Sequence, residues 1–124
     1  MTTKRQASVS PTKRALAELR KLGFTCAIVE RWNQWAKIRQ DLFGFCDILY
    51  LTGSSIVALQ VTSAANRSAR RNKILAEPRA LAWVKSGGLI ELWSVAKQGA
   101  RGSKKAWVIR KEEIVEGDFT QEVQ

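Results

Sequence analysis

Asp47 and Gln60 are the two residues whose types and spacing point most directly to chemistry. Each interrupts an otherwise apolar run, residues 46–51 and 56–62, and the segment 52–55 between the runs has the Thr-Gly-Ser-Ser composition of a hairpin turn. With either a two- or a four-residue loop, the last residue of the first run pairs with the first residue of the second. In that register Asp47 stands opposite Gln60 on one face of the sheet, with Cβ atoms about 4.5–5.5 Å apart.

A carboxylate placed inside two apolar strands requires a partner, because burying an uncompensated charge is costly. Hard divalent ions take oxygen ligands, and Mg²⁺ commonly binds one or two carboxylates together with a substrate phosphate. Thr62 points to the same face, two residues beyond Gln60. The pair therefore favours a divalent metal site, and a strand-start aspartate bonded to backbone stays open as the alternative for Asp47.

The elements that must position this pair follow from local patterns. Pro11 after Ser10 predicts a helix start, and Gly23 predicts its end. The central hairpin shows almost no alternation of polar and apolar residues, so both of its faces should be covered and it should lie in the middle of a sheet. In chain order we predict a helix over 11–22, a strand over 24–31, a structured loop over 32–45, strands over 46–51 and 56–62, helices over 63–76 and 79–85 separated by Pro78, and a final hairpin of strands 89–96 and 105–110 around the loop 97–104.

This order, α-β-β-β-α-β-β, predicts an α/β (α+β) fold in which a mixed sheet is flanked by helices. The length of 124 residues and an apolar content of 45% suit one domain with a real core. We place that domain at 11–111, between a flexible basic arm over 1–10 and an acidic tail over 112–124.

Composition narrows the function classes. Twenty-one Lys and Arg against eleven Asp and Glu leave a net charge of +10, which suits a polyanionic partner. The absence of His excludes a Ser-His or Cys-His dyad, a His-ligated zinc and a His-bound haem. No long uncharged apolar run or secretion signal occurs, so we expect no membrane partner and a cytoplasmic location. Cys26 and Cys46 lie in apolar runs, as expected of core thiols in a reducing compartment.

The basic residues predict where a nucleic acid would lie. Phosphate contacts are expected from the helix over 66–76, the loop over 97–105 and the arm over 1–14; a solvated helix face is the alternative for the helical bases. The bases assigned to nucleic-acid binding are Arg39, Arg67, Arg70, Arg71, Lys104 and Lys105.

The five tryptophans fall into two groups. Trp83, Trp93 and Trp107 lie in apolar periodic segments and are predicted to belong to the core. Trp32 and Trp35 lie among basic residues, where they can either stack on nucleobases or support the loop.

Several of these segments together resemble the PD-(D/E)XK nuclease superfamily. The resemblance rests on Gly44-Phe45-Cys46-Asp47, the apolar hairpin, Gln60-Val61-Thr62 and the Arg- and Lys-rich helix that follows, and it extends over about residues 11–110. Within the superfamily the chain is most similar to small phage and bacterial proteins related to VRR-NUC domains and Holliday-junction resolvases. The resemblance implies a restriction-endonuclease-like core and a metal-dependent DNA endonuclease that uses Mg²⁺ or Mn²⁺. It also implies selectivity for DNA structure, such as branched DNA, and, by analogy, a homodimer.

The resemblance also implies roles for individual residues. Glu18 would be the helix-borne acid, Asp47 the principal metal ligand, and Gln60 would occupy an acidic position, with the carbonyl of Val61 completing the metal shell. Thr62 stands where the pattern has a catalytic Lys.

The missing Lys leaves two outcomes open. Lys73 or Arg70 on the following helix can replace the cation, or the chain can be a non-catalytic nucleic-acid-binding protein on a decayed nuclease fold. Three further acids are ambiguous. Glu18 can be a solvated helix acid, Asp41 a ligand, a salt-bridge partner of Arg39 or a loop cap, and Glu30 a ligand or a rim charge.

Overall fold

The computed structural model describes residues 9–120, so most of the predicted basic arm over 1–10 lies outside the described residues. The elements in chain order are α1 (Pro11–Lys21), β1 (Thr25–Ile28), β2 (Arg31–Asn33), β3 (Ile38–Gln40), β4 (Ile48–Leu51), β5 (Ile56–Ser63), a 3-10 turn (Ala64–Asn66), α2 (Arg67–Leu75), α3 (Pro78–Lys85), β6 (Leu89–Gln98), β7 (Ala106–Ile114) and α4 (Glu116–Thr120).

The first helix begins and ends where the sequence predicts. The Ser10 hydroxyl accepts the N–H of Lys13 at 3.2 Å, and Pro11 is the first helical residue, where its missing N–H costs nothing. Gly23 follows the helix with a φ of 81°, the left-handed conformation that glycine adopts most easily.

Five strands form the main sheet in the order β1-β4-β5-β6-β7, with β5 and β6 parallel and the other neighbours antiparallel. The predicted α/β fold with a mixed sheet is therefore confirmed, and so is the central position of the β4–β5 hairpin. Leu51 pairs with Ile56, which is the predicted register. Both strands of the hairpin lie inside the sheet, and helices cover both of its faces, which explains their continuous apolar character.

Helices cover both faces of the sheet, and strand alternation decides which residues each face receives. On one face α1 packs against odd-numbered residues of β5: the cluster includes Ala15, Leu16, Leu19, Val57, Leu59, Val61 and Trp93. On the other face α2 and α3 pack against even-numbered ones: the cluster includes Phe45, Cys46, Ala58, Ile74, Ala80, Ile90 and Leu92. Gln60 and Thr62, which are also even-numbered and buried, belong to the α2–α3 face.

Two segments differ from the prediction. The stretch expected to be a loop over 32–45 contains a separate two-stranded hairpin, β2–β3, paired from Arg31–Gln40 to Asn33–Ile38. The second difference is at the C-terminal side, where residues beyond Lys111 still belong to the domain. β7 continues to Ile114, and Phe119 of α4 is buried against the α2–α3 face. The predicted domain boundary at 111 is therefore too early.

The three tryptophans predicted to be core do not all lie there. Trp93 is buried and Trp83 is half-buried against the α2–α3 face, whereas Trp107 is 48% exposed. The prediction for Trp107 is wrong because β7 is an edge strand. The Arg14 guanidinium lies 4.0 Å from the centroid of the Trp107 ring and covers one of its faces.

The two thiols lie on different faces of the sheet. Cys26 packs beside the α1 cluster and Cys46 within the α2–α3 cluster, and both are free. Over residues 9–120, every helix is too short or too polar to cross a membrane.

Candidate metal centre

The predicted meeting of Asp47 and Gln60 is confirmed. Asp47 immediately precedes β4, whose regular pairing with β5 ends at Ile48 and Leu59, and the Asp47 N–H donates to the carbonyl of the same Leu59 at 2.9 Å. Asp47 Oδ2 accepts the Gln60 side-chain amide at 2.8 Å and the Val61 N–H at 3.0 Å. The Val61 carbonyl lies on the same side of β5 as its N–H, because the two groups of one strand residue face the same neighbour.

A tight loop brings a second carboxylate, Asp41, to Asp47. Leu42 and Cys46 exchange both backbone hydrogen bonds, at 2.9 and 3.0 Å, and the turn between them passes through Phe43 and Gly44 with φ of 53° and 79°. One step outward from the Leu42–Cys46 pair, Asp41 stands opposite Asp47.

A third carboxylate arrives from the end of β1. The Val29 N–H donates to the carbonyl of Asp47 at 2.9 Å, and Glu30 follows directly. Carboxylate oxygens of Glu30, Asp41 and Asp47 all lie within 4.8 Å of one another. Arg39 Nη1 donates to Glu30 Oε1 at 3.0 Å, so one cation already flanks the group.

The environment favours the neutral form of Asp47 when no cation is bound. Burial, followed by a hydrogen bond to Asp41 and the negative charges of Asp41 and Glu30, raises the pKa of Asp47 to about 8, against an opposite effect of the Val61 N–H. The carboxyl group therefore holds a proton at a place where a divalent ion could replace it.

Gln60 supplies the observation that distinguishes this cluster from an ordinary group of surface acids. Gln60 is only 3% exposed. Its Nε2 donates to Asp47, whereas its Oε1 has no hydrogen-bond partner among the described residues. A buried amide oxygen without a partner is costly, and an oxygen is the ligand that Mg²⁺ and Mn²⁺ accept. Glu30, Asp41 and Asp47 therefore form a donor set that fits a hard divalent ion, and Gln60, whose side-chain amide contacts Asp47, can add an oxygen to it.

Glu18, the helix acid implied by the resemblance, is not brought to this cluster. It belongs to α1, on the opposite face of the sheet from Gln60, and accepts a hydrogen bond from Lys111 Nζ at 2.8 Å. That bond holds the pKa of Glu18 below its ordinary value. Lys111 also lies 4.6 Å from the centroid of the Trp93 ring. Glu18 is thus tied to the α1 side, and Glu30 and Asp41 take the places beside Asp47.

The structure brings no lysine to the carboxylates within residues 9–120. Thr62 is buried on the same face as Gln60. Lys73 is exposed on α2 and acts electrostatically on Glu77, whose pKa is lowered mainly by Arg79. No bond from Lys73 or Arg70 to the cluster is found in this part of the chain, so the cation beside the site is Arg39.

Two of the arginines assigned to phosphate binding are engaged elsewhere. Arg67 and Arg71 both donate to Glu112, and Arg71 also pairs with Asp118 at 3.2 Å. These ion pairs tie α2 to β7 and α4, so the acidic residues beyond Lys111 neutralise this part of the helix.

The other assigned bases remain available. Lys104 and Lys105 are exposed and Arg70 is half-buried; none of the three has an ion pair within the described chain. Arg39 is exposed, although it pairs with Glu30.

Gly44→Ala tests whether the loop positions Asp41. Gly44 has a φ of 79°, and an added Cβ would lie 2.7 Å from Glu77 Oε1 and 2.8 Å from Arg79 Nη2. We expect a loss of about 1–2 kcal/mol in the free energy of unfolding, the cost of an L-residue in this conformation, together with weaker Mn²⁺ binding. Denaturant unfolding and calorimetric titration measure the two effects. Gly53→Ala, also at positive φ but in the open β4–β5 turn, is the matched control and should lower stability without changing Mn²⁺ binding.

Comparison of the chain with family models, with curated proteins and with solved structures gave no match.

Proposed function

We propose that the protein is a metal-dependent DNA endonuclease that hydrolyses phosphodiester bonds. One observation carries the proposal: three carboxylates from separate segments meet within 4.8 Å, and Gln60, which contacts one of them, has a buried amide oxygen without a partner in the described residues. The net charge of +10 supplies the field that draws a polyanion to such an acidic site.

The residues would divide the work as follows. Asp47, Asp41, Glu30 and Gln60 would hold Mg²⁺ or Mn²⁺, which, when bound, lowers the pKa of a water and offsets charge on the phosphate. In the hydrolysis, the water loses a proton to solvent as its oxygen bonds to phosphorus, one phosphorus–oxygen ester bond breaks, and the released alkoxide takes up a proton from solvent. Arg39, which pairs with Glu30, would contact the phosphate at the site, and Lys104, Lys105 and Arg70 would contact the DNA backbone farther away.

The wider proposal follows the resemblance. We propose a structure-selective, resolvase-like enzyme that acts as a homodimer in the cytoplasm of a bacterial or phage-infected cell. The two free thiols are compatible with a reducing compartment.

A second function is favoured by one specific observation. No lysine contacts the carboxylates in the described residues, and Thr62 occupies the position that holds the catalytic Lys in the superfamily the chain resembles. A chain without that cation can bind nucleic acid without cutting it.

A cleavage assay separates the two functions. The purified protein is incubated with single-stranded, linear duplex and four-way-junction DNA of equal length, with Mg²⁺, Mn²⁺ or EDTA. We expect cleavage only with the divalent ions and at least a tenfold slower rate for Asp41→Asn, since an aspartate beside the principal ligand is lost. Glu116→Gln, an exposed acid on α4, is the matched control and should cleave at the wild-type rate.

Two results would decide against this assignment. Tight binding without cleavage under any metal condition favours the non-catalytic function. Cleavage that is lost in Glu18→Gln but retained in Asp41→Asn favours the helix acid of the resemblance over the cluster that the structure assembles.

A further inference from the structure

The β2–β3 hairpin begins and ends at the candidate metal centre. Glu30 immediately precedes β2 and Asp41 immediately follows β3, and the first hairpin pair, Arg31 with Gln40, stands next to both. The two carboxylates that join Asp47 are therefore the two ends of this hairpin. Whatever binds along the hairpin also lies beside the carboxylates.

The hairpin presents aromatic rings to solvent. Trp35, at its turn, is 90% exposed, and Trp32, on β2, is 60% exposed. Asn33 Oδ1 accepts the backbone N–H groups of Trp35 and Ala36, each at 3.0 Å, which fixes the turn that carries Trp35. An ordered turn that exposes a large ring over most of its surface provides a preformed flat apolar surface, which a nucleobase can stack on.

A chain of contacts links the rings to the carboxylates. Trp32 pairs across the hairpin with Arg39, so their side chains share a face. Arg39 in turn donates to Glu30 at 3.0 Å. Trp32 stands two residues beyond Glu30, about 7 Å along the strand, close enough for a base and a nearby phosphate of one strand to occupy the two sites together.

The charge of the β2–β3 hairpin indicates which class of ligand it binds. Residues 31–40 contain three basic residues, Arg31, Lys37 and Arg39, and no acidic one. Exposed aromatic rings interspersed with cations, on a hairpin with no acid between Glu30 and Asp41, fit a single-stranded nucleic acid, whose bases offer π-faces and whose backbone offers negative charge. In intact duplex the bases are stacked on each other and cannot reach the rings.

We propose that Trp32 and Trp35 form a stacking platform for unpaired bases, so that the substrate class is single-stranded DNA or the splayed strands of a fork or junction. This inference rests on the proposed function for the role of the adjacent carboxylates, but the platform binds DNA through the hairpin alone. It deepens the proposal by naming the feature of DNA structure that is selected.

Binding measured in EDTA tests the platform without any contribution of catalysis. Fluorescence anisotropy is followed with a labelled oligo-dT strand, a duplex of the same length and a splayed fork, all at one salt concentration because phosphate contacts depend on salt. Wild type should bind the strand and the fork more tightly than the duplex. Trp35→Ala and Trp32→Ala should each weaken binding of the strand about 5- to 150-fold, the range that loss of one base–aromatic stack causes, with less than twofold change for duplex.

Two further variants test whether the effect depends on a flat ring at the β2–β3 hairpin. Trp35→Phe keeps a flat ring and should retain most of the affinity for the strand. Trp107→Ala removes another exposed tryptophan and should leave binding unchanged. Trp107 lies on β7, at the opposite edge of the sheet from β1, and Arg14 already covers one face of its ring. Because Trp35 is almost fully exposed, its replacement should also leave the free energy of unfolding unchanged.

Several outcomes would overturn the platform. One is unchanged affinity of Trp35→Ala for oligo-dT, and another is an equal loss for strand and duplex. A third is self-association of the wild-type protein, seen in sedimentation, that Trp35→Ala abolishes without affecting DNA binding, because the rings would then be a protein contact.

The test distinguishes failure of the platform from failure of the proposed function. If the wild-type protein never cleaves with Mn²⁺ but its binding of oligo-dT still depends on Trp35, the nuclease proposal fails and the platform stands. If cleavage depends on Asp41 but binding of oligo-dT does not depend on Trp32 or Trp35, the nuclease proposal stands and the platform is wrong.

Discussion

Asp47→Asn is expected to abolish metal-dependent cleavage and, at the same time, to stabilise the metal-free protein at pH 8. The activity should fall about 100-fold or more, since loss of groups that only support a metal ligand already costs 10- to 100-fold. The stabilisation arises because asparagine keeps an oxygen that can accept the Gln60 amide and the Val61 N–H, while it removes a buried charge.

The sign of the pH dependence follows from the raised pKa of Asp47. The carboxyl has an ordinary pKa of 3.8 when unfolded and about 8 in the fold, where burial and Asp41 disfavour the charged form. The folded protein therefore holds this proton more tightly between these two values. Its contribution to stability is fully present below pH 4 and is lost as the pH rises through 8. Since one pKa unit corresponds to about 1.4 kcal/mol, the loss amounts to several kcal/mol.

Denaturant unfolding at a series of pH values in EDTA measures this loss. Wild type should become less stable from pH 4 to 8, and Asp47→Asn should lack that part of the slope. Mn²⁺ should restore the stability of wild type at pH 8, because a divalent ion compensates the ionised carboxylates, and should not change that of Asp47→Asn to the same extent. Parallel pH profiles of the two proteins, or equal restoration by Mn²⁺, would contradict the assignment of Asp47 as the principal ligand. Glu116→Gln serves as the exposed control.

The cross-strand pair could be predicted from the sequence because a short turn fixes the register of a hairpin. The pairing of Leu51 with Ile56 follows from the Thr-Gly-Ser-Ser segment, and Asp47 opposite Gln60 follows from that pairing by counting. Each step depends only on residues a few positions apart. The central position of the hairpin could also be predicted from the sequence, since a strand without alternation of polar and apolar residues must be covered on both faces.

The other two carboxylates of the candidate metal centre were harder to predict because their positions depend on contacts between separate segments. The signal for Asp41 was present: Gly44 permits the tight turn that pairs Leu42 with Cys46, which places Asp41 opposite Asp47. Glu30 has no comparable local signal, since its approach requires β1 to pair with β4 as far as Val29 and Asp47.

The contacts that the sequence does not reveal have the same origin. The bases on α2 resemble a solvated or phosphate-binding face until Glu112 and Asp118 are seen to pair with Arg67 and Arg71, which are some forty residues away in sequence. Glu18 fits the helix acid of the nuclease pattern by position along the chain. Which face of the sheet α1 covers is decided by tertiary packing, which a sequence pattern does not contain.

Gln60→Glu is expected to have opposite effects on the metal-free and the metal-bound protein. Gln60 Nε2 now donates to Asp47 Oδ2 at 2.8 Å, and a glutamate would replace this donor with a second buried carboxylate. Without metal at pH 8 we expect a loss of about 3 kcal/mol or more in the free energy of unfolding, the usual cost of an uncompensated buried charge. With Mn²⁺, the added negative charge should tighten binding about tenfold or more and raise the rate of cleavage at low metal concentration.

Calorimetric titration with Mn²⁺ and denaturant unfolding with and without the ion measure both effects in one protein. Gln98→Glu, at the exposed end of β6, makes the same substitution outside the site and should change neither. A destabilised Gln60→Glu protein that Mn²⁺ does not rescue would mean that Gln60 only supports Asp47 through a hydrogen bond. Behaviour like that of Gln98→Glu in both states would remove Gln60 from the site. A negative charge added at position 60 lowers stability without the ion and raises it with the ion only if the ion binds between the two strands. This change of sign in the effect of Gln60→Glu on stability is therefore the strongest single test of the metal centre.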